Sequence, residues 1–445
     1  MRAVLLLLLT SVWVALAVAA PQSDPAVVAG RLKDIDVFRT EFLAKDRSYV
    51  PAARAEAEAR LNQLARKADE LSQAYFELEI SRIVSLADNG HTAFFPGPRS
   101  RRYNRVEIRL VPFGEEFFVL RAKAANADLL GARLIAIDGK PMAAYRDVAR
   151  TLQGGLPAWR DRNAGYFFES PEQMQALGLL GQSDAATYRF QTRTGSTVER
   201  RLAAEPANPN RPRANADRWL FPEAMPAENG AWMSPLALAR APWSLTEPDA
   251  AFRWRWAAEI NAPVIDFRQN NDSEKRPIAS FLAEAEAMLK ARRPQHVVLD
   301  MRLNGGGDLN TTRDFMQALP KLVPGRILVL TSPWTFSAAI SSVGYVRQAA
   351  GARVTIIGEA VGDRLNFFSE GSVVELPHSK IEMLNATERH DYATGCRGLS
   401  DCHEPVVRHP ISVATLAPDI SAPWTIDAFL NGRDPGMEAA AAALR

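Results

Sequence analysis

The sequence predicts an α/β protein whose C-terminal half is built around a parallel sheet. From residue 252 onward, apolar strand-like runs alternate with segments of helical spacing, as in consecutive strand–helix–strand crossovers. Two predicted strands lead into unusual loops, one with three successive glycines and one ending at Ser337. Ligand sites of such sheets lie at the carboxyl ends of the strands, so both loops belong to one predicted site.

The overall composition is that of a folded globular protein. Of the 445 residues, 47% are hydrophobic and 23% are charged, which is enough to bury the cores of two to three domains. The formal net charge is only +2, without long runs of one sign. We therefore expect neither nucleic acid nor an anionic membrane as partner.

The first residues have the layout of a secretory signal. Met1 and Arg2 precede an apolar stretch over residues 3–18, and the small residues around Ala19 provide a cleavage site, so residues 1–19 are the predicted signal peptide. An uncleaved membrane anchor is the alternative, but the stretch is shorter than the roughly 20 residues that cross a bilayer and lacks a basic flank. We expect a periplasmic or secreted protein with no stable membrane span after cleavage.

The only two cysteines, Cys396 and Cys402, are six residues apart. In an oxidising compartment such a pair closes a small disulfide loop. A metal site with His403 or His409 is the alternative, although zinc ligands usually have tighter spacing. We expect the disulfide, and neither a metal nor a cofactor.

Residues 25–95 predict an N-terminal helical bundle. Ile35, Phe38 and Phe42 fall on one helical face, and the apolar pattern continues to Val84. The run Asp88-Asn89-Gly90-His91-Thr92 then ends the pattern as a turn.

Residues 100–155 predict a small β-rich region. Short apolar runs at 106–111 and 117–120 precede a strand, a tight turn and a helix around residues 131–141, a string that resembles part of a PDZ domain. No carboxylate-binding glycine loop is recognisable, so a PDZ-like region and an unrelated β-layer both stay open. Residues 156–240 are predicted to be an insert and linker, with a surface loop at residues 206–215.

Residues 241–435 form the predicted catalytic domain. Its strands and helices follow from apolar runs and helical spacing. Predicted strands cover 252–256, 263–267, 296–301, 327–330 and 354–357, and predicted helices cover 278–289, 308–319 and 337–350.

The two loops carry groups suited to acyl transfer. Backbone N–H groups of Gly305, Gly306 and Gly307 can approach a reacting carbonyl, although a tight turn alone would also use glycines. Phosphate binding is disfavoured because no Lys-Ser/Thr pair follows. Ser337 stands at the first turn of a helix, where a nucleophile gains from the helix dipole but a plain N-cap is also common. The Ala338 N–H is a natural second oxyanion donor.

A serine nucleophile also needs a base. His91 lies in a turn that we expect to be exposed and able to reach a cleft from another domain, although an ordinary surface histidine is the alternative. No lysine occurs between Lys321 and Lys380. The carboxylates that could orient the base are Glu359, Asp363, Glu370 and Glu404, of which we take Glu370 as the working choice.

The His91 turn, the glycine loop and the Ser337 loop, in this order, resemble those of the tail-specific (C-terminal processing) serine proteases. This family includes the tricorn core and the modules of interphotoreceptor retinoid-binding protein. The resemblance implies a Clp protease/crotonase-like fold, a peptide or protein substrate, Ser337 as nucleophile and an oxyanion hole from the glycine loop and Ala338. The matching segments, in the family's order, are 88–92, 300–307, 335–339, 358–363, 376–379 and 417–420.

One departure concerns the base. Many members of that family pair the serine with a lysine just after the Gly-Glu strand, but residues 362–367 contain none. The chain resembles more the tricorn-like branch, in which a histidine of the N-terminal part is the base, and this implies His91. A non-catalytic module that binds a peptide or an apolar ligand is the alternative, whereas crotonase-like acyl-CoA chemistry is disfavoured by the export signal.

Overall fold

The computed structural model describes residues 24–210, 216–223 and 231–445. The predicted signal peptide, residues 1–19, lies outside the described residues. Among the described helices, none combines the length and the apolar character that crossing a membrane requires.

The N-terminal part is a layer of helices around an aromatic and aliphatic core. Pro51 occupies the first turn of the second helix, and the Ser72 hydroxyl caps the third by accepting from the Tyr75 N–H at 3.1 Å. Leu376 and Met383, far along the chain, complete the core of this layer. The helices are α1 (Pro25–Val37), extended by a π-helical turn (Phe38–Leu43), α2 (Pro51–Arg66), α3 (Gln73–Ser85) and α4 (Pro96–Arg99).

An antiparallel sheet with short helices follows. Its elements are β1 (Arg105–Val106), β2 (Ile108–Phe113), β3 (Glu116–Lys123), β4 (Arg133–Ile137), β5 (Lys140–Pro141), α5 (Met142–Arg150), α6 (Pro157–Arg162), α7 (Gly165–Phe168), α8 (Pro171–Ala176), β6 (Ala185–Gln191), β7 (Thr197–Glu205) and β8 (Trp232–Met233). The strand order is β1-β7-β6-β4-β3-β2, with β5 beside β4 and β8 beside β3. The sheet therefore continues across the boundary predicted at residues 155 and 156, because β6 pairs with β4.

The second sheet is the core of the C-terminal half. It contains β9 (Phe252–Ala257), β10 (Ala262–Phe267), α9 (Ile278–Arg292), β11 (Val297–Asp300), α10 (Leu309–Leu322), β12 (Ile327–Thr331), α11 (Ala338–Ala350) and β13 (Val354–Gly358). After it come β14 (Asn366–Ser369), β15 (Val373–Glu375), β16 (Glu382–Leu384), β17 (Glu388–Asp391), α12 (Glu404–Arg408), β18 (Ile420–Ser421), α13 (Ile426–Leu430) and α14 (Pro435–Ala443).

The strand order of this sheet is β18-β13-β12-β11-β10-β9, and every pairing is parallel except β9 with β10. The predicted α/β class with a parallel-sheet core is thus confirmed. Strands β10, β11 and β12 are buried along their whole length, as expected when helices cover both faces.

Two small antiparallel ribbons, β14 with β17 and β15 with β16, extend from the core towards the helical layer. Beside the first ribbon, Cys396 and Cys402 form the predicted disulfide, with Cα atoms 6.1 Å apart. Strand β14 ends next to the turn that carries His91, since Asn89 exchanges two hydrogen bonds with the Phe368 backbone. The ribbon thereby links the helical layer to the parallel sheet.

Candidate active site

The glycine loop (residues 302–308) and the serine loop (residues 332–337) lie side by side at the carboxyl ends of β11 and β12. The Phe336 N–H donates to the Asn304 carbonyl at 3.0 Å, which joins the two loops directly. A Cβ atom added to Gly306 would lie 2.5 Å from the Ser337 Cβ. Only glycine fits there, because the loop passes so close to Ser337.

A buried pair of asparagines holds this arrangement. Asn270 and Asn304 are fully buried and are joined by a 2.9 Å hydrogen bond between their side chains. Asn270 also donates to the Ala338 carbonyl, and its backbone N–H donates to the Gly306 carbonyl. The pair therefore ties the glycine loop to the first turn of α11.

Ser337 has an unusual backbone conformation. Its φ of 55° and ψ of −129° lie outside the regions that L-residues normally populate, and it immediately precedes α11. Its side chain makes no capping hydrogen bond, so the plain N-cap alternative does not describe it. Such strain at the turn from a strand loop into a helix is typical of an exposed nucleophile.

The backbone N–H groups predicted from sequence as oxyanion donors differ in whether they already have an acceptor in the protein. The Gly306 N–H donates to the Asn304 side chain at 2.9 Å, and the Gly305 N–H points to the Arg268 carbonyl at 3.4 Å. Ala338 is the first residue of α11, so its N–H has no acceptor within the helix. Of the predicted donors, the Ala338 N–H is the one placed by the helix start itself.

His91 is buried rather than exposed, contrary to the expectation from its turn. Its side chain is stacked between Phe336, with ring centroids 4.2 Å apart, and Phe367, at 4.9 Å. Only 5% of the residue is accessible to solvent. Phe336 precedes Ser337 in the chain, so the stacking brings the imidazole to the serine loop.

The carboxylate within ion-pairing distance of His91 is Asp363. The His91 Nδ1 and an Asp363 carboxylate oxygen are 3.5 Å apart. Within the described residues, this oxygen and both ring nitrogens of His91 are buried without a hydrogen-bond partner. Buried polar atoms are seldom left so, and groups that complete their bonds only with substrate are one reason for it.

Gly90 explains why His91 and Asp363 can approach each other. A Cβ atom at Gly90 would lie 2.9 Å from the Asp363 carboxylate and equally close to the Phe336 ring. The rest of the turn is fixed by neighbours, since Thr92 donates to the buried Asp46 carboxylate at 2.8 Å. Gly90 and Thr92 thus both hold the turn that carries the imidazole.

The other candidate carboxylates lie elsewhere. The working choice from sequence, Glu370, is 3.2 Å from the His390 Nε2, and this contact is the main reason that the pKa of Glu370 is lowered. Glu404 is an exposed partner of Arg408. Burial raises the pKa of Glu359, which lines a cavity instead. The structure therefore brings Asp363, and not Glu370, against His91.

A cavity of about 250 Å³ adjoins the serine loop and was not expected from the sequence. Its walls include the aromatic rings of Phe113, Trp334 and Trp424 and the side chain of Arg162. Trp334 stands three residues before Ser337, which is the one sequence signal that could have indicated it. A larger cavity of about 380 Å³ beside α14 is lined by none of the candidate site residues.

Comparison with known proteins gives a match at the level of structure. No family model matches the chain, and no curated protein matches it by sequence. The structure of mature CPAF complexed with lactacystin is similar over 94% of this chain and 98% of that one, with a TM-score of 0.58 and 11% identity. Mature CPAF alone is similar over 94% and 96%, with a TM-score of 0.56 and 12% identity.

The chain has the fold of mature CPAF. At 11% to 12% identity this likeness concerns the fold alone. The photosystem II D1 C-terminal processing protease is also similar over 92% of this chain and 98% of that one, at a TM-score of 0.36 and 15% identity.

Proposed function

We propose that this protein is an exported serine peptidase that hydrolyses peptide bonds through an acyl-enzyme on Ser337. The observation that carries the proposal is the conformation and setting of Ser337. It is held at a positive φ before α11, it contacts the glycine loop, and it makes no capping bond. A helix cap alone would need none of these features.

The base in this proposal is His91 and the group that orients it is Asp363. Asp363 lies on the Nδ1 side of the imidazole, which leaves Nε2 to take the proton of Ser337. The flanking rings of Phe336 and Phe367 hold the plane of the imidazole and exclude water from its faces. Asp363 replaces Glu370, our working choice from sequence, in this role.

The reaction then follows the usual course of acyl transfer. The Ser337 Oγ bonds to the carbonyl carbon while its proton passes to His91 Nε2, and the carbonyl oxygen becomes an oxyanion. The Ala338 N–H, at the start of α11, stabilises that oxyanion. The tetrahedral adduct expels the amine, which takes the proton from His91. Water then attacks the ester, again through His91, and releases the acid and free Ser337.

Two points support export, one predicted from the sequence and one seen in the structure. The predicted signal precedes the described residues, and the Cys396–Cys402 disulfide is a bond that persists in oxidising compartments. For the substrate we propose an unstructured peptide segment, with an apolar side chain entering the cavity lined by Trp334 and Trp424.

Peptide cleavage tests the function. The purified mature protein is incubated with a mixture of unstructured peptides, and new termini are counted by mass spectrometry. We expect cleavage by wild type, none by Ser337→Ala, and a rate lowered by about 10²- to 10⁴-fold in His91→Ala. Ser412→Ala and His378→Ala change exposed residues of the same types and should cleave as wild type does.

Two outcomes would contradict the proposal. Cleavage that persists in Ser337→Ala would place the nucleophile elsewhere. A folded wild type that binds peptides at equilibrium but produces no new termini would favour the binding module that the sequence left open.

A further inference from the structure

Three metal-binding side chains converge on the opposite face of Phe367 from His91. Glu370, His390 and His403 each place one ligand atom within 4.8 Å of the others. The Glu370 Oε1 and the His390 Nε2 are 3.2 Å apart, and the two imidazole centroids are 5.1 Å apart. These residues come from three separate points of the chain, so only the fold brings them together.

Both imidazoles are oriented by a second oxygen. The His390 Nδ1 is 2.8 Å from the Tyr392 hydroxyl, and the His403 Nδ1 is 2.6 Å from a Glu388 carboxylate oxygen. The Nε2 atom of each ring is thereby left for the centre of the cluster. Histidine ligands of metals commonly have their other nitrogen bonded in this way to a carboxylate or another oxygen.

The cluster stands on a rigid framework. His390 and Glu388 belong to β17, which pairs with β14. The His403 N–H donates to the Arg389 carbonyl at 2.9 Å, and the Cys396–Cys402 disulfide closes the loop that ends just before His403. This framework holds the backbones of His390 and His403 in place before an ion arrives.

The three side chains differ in how far they are exposed to solvent. The His390 side chain is 4% exposed, that of His403 is 19% exposed and that of Glu370 is 39% exposed. The open side at Glu370 gives an ion a route of entry and room for water as a further ligand.

We propose that Glu370, His390 and His403 bind a single Zn²⁺ ion. Two imidazole nitrogens and a carboxylate oxygen are a common zinc ligand set, completed by water in tetrahedral geometry. Bonds of about 2 Å place ligands roughly 3 to 3.5 Å apart. Glu370 and His390 already meet this at 3.2 Å, and a shift of about 1 Å closes the remaining distances, which are within 4.8 Å. The sequence analysis named His403 only in the alternative to the disulfide and expected no metal, because Glu370 and His390 are not adjacent to His403 in the chain.

The ion would stabilise Phe367, the ring that packs against His91. Phe367 is stacked between His91 and His390, with both centroid distances 4.9 Å and interplanar angles of 7° and 9°. Zinc at His390 would therefore fix the ring against which His91 packs, and it takes no part in the chemistry. This proposal does not depend on the peptidase activity.

Calorimetric titration of metal-free mature protein with ZnCl₂ tests the site. We expect one equivalent to bind to wild type, and no specific binding to His403→Ala or Glu370→Gln. Glu388→Gln removes only the second oxygen at His403, so it should weaken binding by about 10- to 100-fold. His409→Ala, a histidine outside the cluster, and His91→Ala should bind as wild type does. Bound Co²⁺ should show the visible bands of tetrahedral coordination.

Several results would overturn the proposal. They are a wild type that binds no Zn²⁺, binding that is unchanged in both His403→Ala and Glu370→Gln, and binding that is lost in His91→Ala alone, which would place the ion at the candidate active site. Circular dichroism of each metal-free variant separates lost ligands from lost structure. If His403→Ala does not fold, Glu370→Gln and Glu388→Gln decide the question, because both keep the size of the side chain.

Discussion

Individual side chains decide the chemistry of this site, and Asp363 shows how. It is buried against His91 with one oxygen unpartnered, while Glu370, seven residues later, contacts His390. Both lie beside β14 in the sequence, and no pattern distinguishes them. Ser337 and His91 could be proposed from the sequence because the order of the loops along the chain matches a known arrangement, and their roles stay predictions. The carboxylate beside His91 could not be predicted, because its position depends on packing.

We predict that Asp363→Asn lowers kcat/KM for peptide cleavage by up to about 10⁴-fold. The amide keeps the shape but cannot stabilise the imidazolium that forms when His91 takes the proton. Glu404→Gln is the matched control, because Glu404 was an equal candidate in the sequence but is exposed. Equal activity of Asp363→Asn and wild type in steady-state assays would exclude Asp363 from this role.

At the level of elements, the His91 turn and the glycine loop pack closely against their neighbours. Gly90 and Gly306 are required there because a side chain would clash. Strands β10 to β13 and helices α9 to α11 were predicted to within a few residues, because buried parallel strands are continuous apolar runs and the helices between them keep their spacing. The burial of His91 was not predicted, since it depends on Phe336 and Phe367 from other elements.

At the level of these elements we predict that Gly306→Ala abolishes cleavage. Its φ is 102°, and a Cβ atom would lie 2.5 Å from the Ser337 Cβ, so the loop must move away from the serine. Gly305→Ala is the matched control in the same loop, because nothing lies within 4 Å of its added Cβ. Thermal unfolding of both variants shows whether fold or only activity is lost. Full activity of Gly306→Ala would contradict the described contact.

Asn304 gives a second prediction at this level. Asn304→Ala removes the partner of Asn270 and of the Gly306 N–H, and both are buried. We expect the free energy of unfolding to fall by about 1 to 3 kcal/mol, the usual cost of leaving buried polar groups unpaired. Urea denaturation measures it. An unchanged midpoint would mean that the pair does not support the loop.

In the whole molecule, the site is assembled from parts that are far apart in sequence. The helical layer supplies His91, the parallel sheet supplies Ser337, and the ribbon of β14 and β17 joins them through Asn89 and Phe368. The sequence predicted the parallel sheet and the disulfide. It did not predict that β6 pairs with β4 and brings β7 into the same sheet, because the pairing of strands separated by helices α5 to α8 leaves no local pattern.

For the whole molecule we predict that replacing Cys396 and Cys402 together by serine lowers the free energy of unfolding by about 2 kcal/mol. The loop they close is short, so the entropy that the bond removes from the unfolded chain is modest. Urea denaturation of the double variant against wild type measures the difference. Cleavage should persist, since neither cysteine belongs to the catalytic group, and loss of cleavage in a folded double variant would contradict this.

The central claim is that Ser337 is an activated nucleophile, and covalent labelling tests it most directly. The mature protein is treated with a fluorophosphonate, and the modified residue is located by intact mass and peptide mapping. We predict a single adduct on Ser337, lost in Ser337→Ala and much slower to form in His91→Ala, with Ser412→Ala labelled as wild type. An adduct on another serine, or a well-folded wild type that is not labelled, would contradict the claim.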